Sequence, residues 1–282
     1  MSITSRQSPG TNSAAPRLAW RPLQRSTRVA IIGALLATLG YQIFLLDPKY
    51  RGPWWLWTAM LLAEGLTALH AIGTWWTILA HDDVPEPAQV TIWRNRLRAG
   101  GEVPTIDVFI TAYGEPVELV RTTIRAARDM ELPHRTWALD DGRSDALEQV
   151  CAAEGIGYLR REGRDDAKAG NVNSALAQTD GEYVVIFDAD HVPAPEFLIQ
   201  VLPHFRDREV AFVQSPQYYS NRVNLVSTGS AEAQRIFYEL VCPGKNRFNA
   251  AFCVGTNVMF RRAALDEIGG IATGSNSEDI WT

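Results

Sequence analysis

Two long apolar segments near the start of the chain constrain its fold more than any other feature. Residues 29–46 form a run of 18 residues without a charge, and residues 54–80 form a run of 27 in which only Glu64 and His70 are ionisable. A helix of about 20 apolar residues crosses the hydrocarbon layer of a bilayer. Tryptophan pairs near both ends of the second segment suit the two membrane–water interfaces. We therefore predict transmembrane helices at 29–46 and 54–80.

Two other interpretations of these segments remain open. A signal peptide also has a basic flank and an apolar stretch, but the first segment has no convincing small-residue cleavage site and a second apolar segment follows at once. Helices buried in a soluble protein would have to bury a tryptophan-rich run that has no polar face.

The distribution of arginine predicts the orientation of the two helices. Residues 1–28 contain five arginines and no acidic residue, residues 47–53 contain two basic residues and one acid, and residues 94–98 contain three arginines. Loops rich in arginine and lysine stay in the cytoplasm. We therefore predict a multi-pass protein of the inner (plasma) membrane, with a disordered basic tail at 1–28 and everything after residue 81 in the cytoplasm.

Charge and cysteine content argue against two other classes of function. The formal net charge of −5 gives no support for a nucleic-acid partner. The three cysteines, Cys151, Cys242 and Cys253, show no C-x-x-C spacing, which speaks against a zinc site and suits a reducing compartment.

Beyond a predicted linker at 81–104, apolar patterns typical of strands and helices alternate through residues 105–282. The predicted strands are 105–113, 135–142, 156–161, 182–190 and 210–219. The predicted helices are 115–130, 144–155, 171–178, 195–205 and 227–241. Strands joined by crossover helices predict an α/β fold with a mostly parallel sheet flanked by helices.

Acidic residues lie at the carboxyl ends of three of the predicted strands, or just beyond. They are Glu115, Asp140, Asp141, Asp188 and Asp190. A single acidic residue at the end of a strand is typical of a turn. Parallel sheets bind ligands at the carboxyl ends of their strands, so acidic residues at three such ends favour a ligand-binding site. Two carboxylates next to each other suit a hard cation, Mg²⁺ or Mn²⁺, that they bind jointly with a diphosphate. His191 fits a third metal ligand or a packing role equally well. The pattern indicates transfer of a group away from a nucleoside diphosphate.

The segment DAKAGNVNSAL, between the second and third acidic ends, adds a candidate phosphate contact. Gly170 permits close approach of a ligand, and the helix predicted to start after it offers free backbone N–H groups. Lys168 adds a mobile positive charge. Taken alone, the segment fits a structural helix cap better, because it matches no known phosphate-loop fingerprint.

Seven motifs, in this order, resemble those of family 2 glycosyltransferases. They are VFITAYGEP, LDDG, AKAGNVNSAL, VVIFDADHVP, QSPQYY, FCVGTNVMFRRAALDEIGG and SED. The chain most resembles the membrane-embedded, processive polysaccharide synthases, of which bacterial cellulose synthase is the best-known type. The resemblance implies a GT-A-type fold over 105–282. It also implies that this domain is C-terminally incomplete, since the later channel-forming spans of such synthases have no counterpart before Thr282.

The resemblance also implies a role for each matching residue. The donor nucleotide would be bound by Tyr113, Glu115, Asp140, Asp141, Lys168, Asn171 and Asp188. The metal ion would be held by Asp188 and Asp190. The acceptor would lie against Phe252, Cys253, Gly255 and Thr256. In the SED motif, Asp279 would be the general base, with Glu278 beside it; a base is needed because the attacking sugar hydroxyl must lose a proton.

The implied reaction is inverting transfer of a hexose, most simply glucose, from a UDP-sugar to a growing β-glucan. The implied partners are the UDP-sugar, a polysaccharide acceptor, the lipid bilayer and export subunits. Two alternatives stay open. One is a non-processive transferase that makes a lipid-linked sugar, and the other is a truncated, non-catalytic subunit that binds a UDP-sugar.

Overall fold

The computed structural model describes residues 23–80, 88–274 and 278–282. The α-helices are α1 (Arg25–Leu45), α2 (Trp54–Leu79), α3 (Ala88–Arg98), α4 (Val117–Arg128), α5 (Asp145–Glu154), α6 (Ala167–Leu176), α7 (Phe197–Val201), α8 (Leu225–Ile236), α9 (Cys242–Arg247), α10 (Arg262–Ile268) and α11 (Glu278–Trp281). The strands are β1 (Ile106–Ala112), β2 (Arg135–Asp140), β3 (Gly157–Leu159), β4 (Tyr183–Asp188), β5 (Phe212–Gln214) and β6 (Val258–Arg261). Most of the predicted tail at 1–28, and residues 81–87 of the predicted linker, lie outside the described residues.

A six-stranded sheet forms the centre of the domain, in the order β3-β2-β1-β4-β6-β5. The pairs β3–β2, β2–β1 and β1–β4 are parallel, and β6 runs antiparallel to both of its neighbours. The predicted α/β fold with a mostly parallel sheet is therefore confirmed. The central strands are apolar on both faces because helices cover both.

Two apolar clusters, one on each face of the sheet, form the core. On one face, Val108 and Ile110 of β1 belong to a cluster with Ile124 of α4 and Leu198 of α7. On the other face, Phe109 belongs to a cluster that includes residues of α6, β6 and α10. Alternate residues of a strand point to opposite faces, so one short strand supplies both clusters.

Helices α1 and α2 are long and apolar enough to cross a membrane. Only 11% and 6% of their most apolar stretches are buried, whereas the core helix of a soluble protein would be mostly buried. The two helices pack against each other, and the Trp57 indole Nε1 donates to the Leu45 carbonyl oxygen at 3.2 Å. Helix α1 begins at Arg25, within the segment predicted as a disordered tail.

The predicted linker contains a helix, α3. Val90 and Leu97 are buried, and the helix packs against α7 and the 3₁₀ turn Leu202–Arg206. Arg206 lies over the ring of Trp93, with its guanidinium carbon 5.7 Å from the ring centroid. Because these two apolar residues are seven positions apart, they lie on the same side of an otherwise polar helix, and that side packs against the domain.

Three predicted elements have different bounds. Helix α6 begins at Ala167, four residues before the predicted start, so Gly170 lies inside the helix. The extended segment predicted at 210–219 forms a strand only at Phe212–Gln214. The helix predicted at 227–241 begins at Leu225, changes to a π-helix at Phe237–Val241 and continues as α9.

Candidate functional site

The three acidic strand ends meet at one edge of the sheet. Strands β2, β1 and β4 are neighbours, with Ala112 in register with Asp140 and Thr111 in register with Asp188. The Asp141 backbone N–H donates to the Ala112 carbonyl oxygen at 2.9 Å, which continues the pairing just beyond β2. The fold therefore brings together residues that are up to 77 positions apart in the chain, as parallel pairing requires.

Lys168 joins the end of β4 to the segment after α9. Its Nζ forms a close ion pair with Asp188 and donates to the Gly255 carbonyl oxygen at 2.7 Å. The Thr256 hydroxyl oxygen accepts a hydrogen bond from the Asp188 backbone N–H at 3.0 Å. Charge-assisted contacts of this kind hold residues of the predicted donor, metal and acceptor groups together at one point.

Asp190 and His191 extend this site toward solvent. The His191 Nδ1 lies 2.9 Å from an Asp190 carboxylate oxygen and 3.7 Å from one of Asp188. This nitrogen is buried and makes no hydrogen bond of good geometry, while Nε2 faces the side-chain oxygen of Gln217 at 3.0 Å. An imidazole that donates from Nε2 presents a lone pair at Nδ1 when neutral, and that lone pair then faces the two carboxylates.

The donor set at this point fits a hard divalent cation. Asp188 and Asp190 supply carboxylate oxygens on side chains that are 35% and 63% exposed, so a ligand can reach both. No group of three histidine, cysteine or acidic side chains arranged to hold a metal by itself occurs in the part of the chain that the structure describes. Mg²⁺ usually binds through one or two carboxylates together with substrate phosphates, and this arrangement suits that pattern.

Asp140 organises the loop that follows β2. Its carboxylate is buried and accepts hydrogen bonds from the backbone N–H groups of Arg143 at 2.9 Å and Ser144 at 2.6 Å. The Tyr158 hydroxyl donates to it at 2.7 Å. Burial, together with the hydrogen bond to Asp140, raises the pKa of Tyr158 above its usual range, so this hydroxyl remains a donor. The structure places Asp140 at the predicted edge and directs its carboxylate toward the protein.

Asp141 is paired with Arg161, a residue that the motifs did not single out. Both side chains are nearly buried, and the guanidinium contacts both carboxylate oxygens at 2.7 Å. A buried carboxylate needs a partner, so the presence of Asp141 at the end of a buried strand indicates that a cationic side chain lies nearby. Which cation could not be found from spacing, because Arg161 is 20 residues further along the chain.

The remaining predicted donor residues differ in exposure. Tyr113 is 65% exposed, and the guanidinium carbon of Arg164 lies 5.5 Å from the centroid of its ring. Glu115 accepts a hydrogen bond from the Tyr113 backbone N–H at 2.7 Å. Asn171 is buried and donates to the Leu139 carbonyl oxygen at 3.1 Å, which ties α6 to β2. Tyr113 is thus open to a ligand, whereas Asn171 serves the packing of the helix that carries Lys168.

The predicted acceptor segment lies beside the predicted base. Gly255 has a φ of +75°, and a Cβ added to it would be 3.3 Å from a carboxylate oxygen of Asp279. Lys168, Cys253, Gly255 and Asp279 line one cavity. Phe252 lies under Lys245, whose Nζ is 5.3 Å from the ring centroid. Glu278 and Asp279 begin α11, while Ser277 lies outside the described residues.

Comparison with known proteins identifies the family. The model of glycosyl transferase family 2 matches residues 107–269, which is more than half of the chain. The chain therefore belongs to this family. The match contains the sheet edge described above, from β1 to the end of α10.

Two relatives carry the name cellulose synthase catalytic subunit [UDP-forming]. The protein from Pseudomonas fluorescens (strain SBW25) is 35% identical over 262 residues, which cover 89% of this chain and 35% of the relative. The protein from Xanthomonas axonopodis pv. citri (strain 306) is 38% identical over 208 residues, covering 71% of this chain and 27% of the relative. The chain thus spans about a third of the length of the first relative and about a quarter of the length of the second.

A solved structure supports the fold. A mannosyltransferase from Pyrobaculum calidifontis, solved in complex with GDP-mannose and Mn²⁺, superposes with a TM-score of 0.52 at 17% identity. The alignment covers 89% of this chain and 60% of that protein. Together with the family match, this likeness confirms the GT-A-type fold that the motifs predict.

Proposed function

We propose that the chain forms the donor site and carries the general base of an inverting hexosyltransferase. The donor is a UDP-sugar, most simply UDP-glucose, and the acceptor is the end of a growing β-glucan. Membership of glycosyl transferase family 2 and identities of 35% and 38% to UDP-forming cellulose synthase subunits support this proposal.

The main structural support for the proposal is the position of Gly255 between Lys168 and Asp279. The Lys168 ammonium group lies on one side of this residue, within 2.7 Å of its carbonyl oxygen. The Asp279 carboxylate lies beside its Cα. A displacement reaction needs a group to receive the departing diphosphate and a base to activate the nucleophile, and Lys168 and Asp279, which we propose for these roles, both lie at this backbone segment.

In the proposed reaction, Asp279 accepts the proton of the attacking acceptor hydroxyl. The hydroxyl oxygen forms a bond to the anomeric carbon of the donor as the bond from that carbon to the diphosphate oxygen breaks. UDP leaves with the electron pair, toward Lys168, whose charge stabilises it. One displacement inverts an α-linked donor sugar and produces a β-linkage.

Asp188 and Asp190 would hold the metal ion at the diphosphate. Mg²⁺ or Mn²⁺ bound there would neutralise charge on the diphosphate as a Lewis acid. The remaining assignments follow the motifs: Tyr113, Glu115, Asp140, Asp141 and Asn171 at the nucleotide, directly or by holding its loops, and Phe252, Cys253, Gly255 and Thr256 at the acceptor.

The proposal includes the setting of the reaction. The apolar helices α1 and α2 would anchor the chain in the plasma membrane with residues 105–282 in the cytoplasm, where UDP-sugars are found. The polysaccharide acceptor and export subunits would be partners of the whole protein.

Binding of UDP-glucose to the detergent-solubilised chain tests the donor site. Calorimetry with Mn²⁺ and with EDTA should give binding only with the metal, and the Asp190→Ala variant should lose it. The matched control is Asp207→Ala, which removes another exposed acid outside the site. Binding that persists in EDTA would contradict the role of the two carboxylates, and absence of binding to any UDP-sugar would contradict the donor site itself.

A further inference from the structure

We propose that Arg161 is a positioning residue that sets Lys168 for the diphosphate of the donor, an inference that rests on the proposed function. Arg161 precedes Lys168 by seven residues and contacts no residue of the proposed metal pair. Its hydrogen bonds go to Asp141 and to the backbone just before Lys168, so it would act through the loop and not on the substrate.

The first observation is the geometry of the guanidinium group. Two of its nitrogens contact the two oxygens of Asp141, each at 2.7 Å. Two more of its N–H groups donate to the carbonyl oxygens of Asp165 at 2.6 Å and Ala167 at 2.8 Å. One side chain thus connects the end of β2 to the turn that begins α6.

The second observation is the backbone that this side chain holds. Asp166 and Ala167 have φ angles of +59° and +43°, a left-handed conformation that residues other than glycine rarely adopt. Such a conformation persists only where neighbouring contacts impose it. The carbonyl groups bonded by Arg161 belong to Asp165 and Ala167, the residues on either side of Asp166 and at the point of strain.

The third observation is the contact between Arg161 and Gly170. A Cβ added to Gly170 would collide with the Asp165 carbonyl oxygen and with a guanidinium nitrogen of Arg161. The first turn of α6 therefore packs directly on the guanidinium group. Lys168 lies in that turn, between the strained residues and Gly170, so its direction toward Asp188 depends on this packing.

Lysine cannot replace arginine in this role. The contacts use a planar fork with donors on three nitrogens, and an ammonium group cannot reach two carboxylate oxygens and two carbonyl oxygens in these directions. Arg161→Lys keeps the charge and removes the fork. We expect the turn to relax from its left-handed conformation and Lys168 to move away from the diphosphate.

The test compares UDP with UMP, which lacks the β-phosphate, in calorimetric titrations of the detergent-solubilised chain with Mn²⁺. Arg161→Lys should weaken UDP binding by about tenfold or more, as expected for loss of hydrogen bonds to charged groups, and UMP binding by less than about threefold. Arg125→Lys is the control, because Arg125 also pairs with a carboxylate, that of Glu154 on another helix, so the same replacement is made at an arginine outside the site. It should leave both affinities unchanged.

Two double variants separate positioning from other roles. Once Lys168→Ala has removed the ammonium group, adding Arg161→Lys should weaken UDP binding no further. Adding Ala167→Gly to Arg161→Lys should restore part of the UDP affinity, because glycine takes a positive φ without strain. If Arg161 bound the diphosphate directly, Arg161→Lys would weaken UDP binding further in the Lys168→Ala background. Ala167→Gly would then restore none of the affinity lost in Arg161→Lys.

The outcomes distinguish this inference from the proposed function. If Lys168→Ala weakens UDP binding and Arg161→Lys does not, or if Arg161→Lys weakens UDP and UMP equally, the role of Arg161 is wrong and the donor site stands. If the wild-type chain does not bind UDP, or if Lys168→Ala binds it normally, the proposed donor site is wrong and the inference falls with it.

Discussion

Asp279 is the residue whose chemistry the proposed reaction needs most. We expect Asp279→Asn to lower the rate of sugar transfer by about a thousandfold, because an amide cannot accept the proton of the attacking hydroxyl. The rate is measured as UDP released from UDP-glucose in the presence of a β-glucan acceptor. Binding of UDP should be unchanged, since Asp279 is not among the residues proposed to bind the nucleotide or the metal ion.

Asp266→Asn is the control for that prediction. Asp266 is an exposed acid on α10, so its replacement makes the same chemical change away from the site. A normal transfer rate in Asp279→Asn would remove the base from the proposed mechanism. An equal loss in both variants would point to a general effect of lost charge.

Gly255 and Gly269 form a matched pair that separates backbone strain from crowding of the site. Both have positive φ angles, +75° and +84°, so alanine at either position should lower the free energy of unfolding by about 1 kcal/mol. A Cβ at Gly255 would also lie 3.3 Å from the Asp279 carboxylate, whereas Gly269 has open space around it. We therefore expect only Gly255→Ala to lower the transfer rate, as measured by UDP release. Equal rates in the two variants would contradict the contact between Gly255 and Asp279.

Local sequence predicts site residues that end a strand or begin a helix, and it misses those that act across the fold. Asp188 and Lys168 were predicted from motifs, and the structure brings them into contact. Arg161 and Gln217 were missed, because their partners lie 20 and 26 residues away and no local spacing encodes such pairs. The carboxylate of Asp141 was predicted to face a nucleotide, and its direction toward Arg161 depends on that tertiary contact.

At the scale of elements, Asp107 connects the amino ends of the strands, opposite the site. This fully buried carboxylate accepts hydrogen bonds from Arg135 at 2.8 Å, the Trp137 indole at 2.9 Å and the Gly181 backbone N–H at 2.7 Å. It thereby links β1, β2 and the turn before β4. Removing one partner of a buried ion pair leaves the other without compensation.

We expect Asp107→Asn to lower the free energy of unfolding by about 3 kcal/mol, as is usual when a buried pair is broken. Urea unfolding of the detergent-solubilised chain, followed by tryptophan fluorescence, measures the change. Glu118→Gln, which removes an exposed ion-pair partner of Arg121, should have a much smaller effect. If the two variants are equally stable, the network at Asp107 contributes nothing beyond surface pairing.

Element types were easier to predict than element bounds. The spacing of apolar residues along the chain predicts the alternation of strands and helices. The length of the segments between strands predicts the parallel pairing of β1, β2 and β4. The start of α6 at Ala167 cannot be predicted in this way, because Asp166 and Ala167 adopt positive φ angles in a turn to which Arg161 donates hydrogen bonds across the fold. The π-helix at Phe237–Val241 interrupts a continuous amphipathic pattern, and the residues in that pattern do not predict the interruption.

At the scale of the whole molecule, the proposed membrane anchor and the sheet domain are in direct contact. Gly244 of α9 approaches the Thr77 carbonyl oxygen of α2 so closely that any side chain would collide with it. Ile78 belongs to a small apolar cluster that Leu240 and Val241 of the π-helix pack against. The domain is therefore held at the end of α2 that leads into α3, so the side of the membrane reached by α2 decides where the site lies.

The arginine distribution predicts that this side is the cytoplasm. Residues 1–28 and 94–98 are arginine-rich, and the connection at 47–53 carries a single net positive charge. Alkaline phosphatase is active only outside the cytoplasm, so we expect activity when it is fused after Tyr50 and none when it is fused after Val103 or Thr282. Green fluorescent protein at the same positions should show the reverse pattern. Active phosphatase after Val103 would place the site on the side that lacks UDP-sugars, and the reaction proposed for Lys168 and Asp279 would then have no donor.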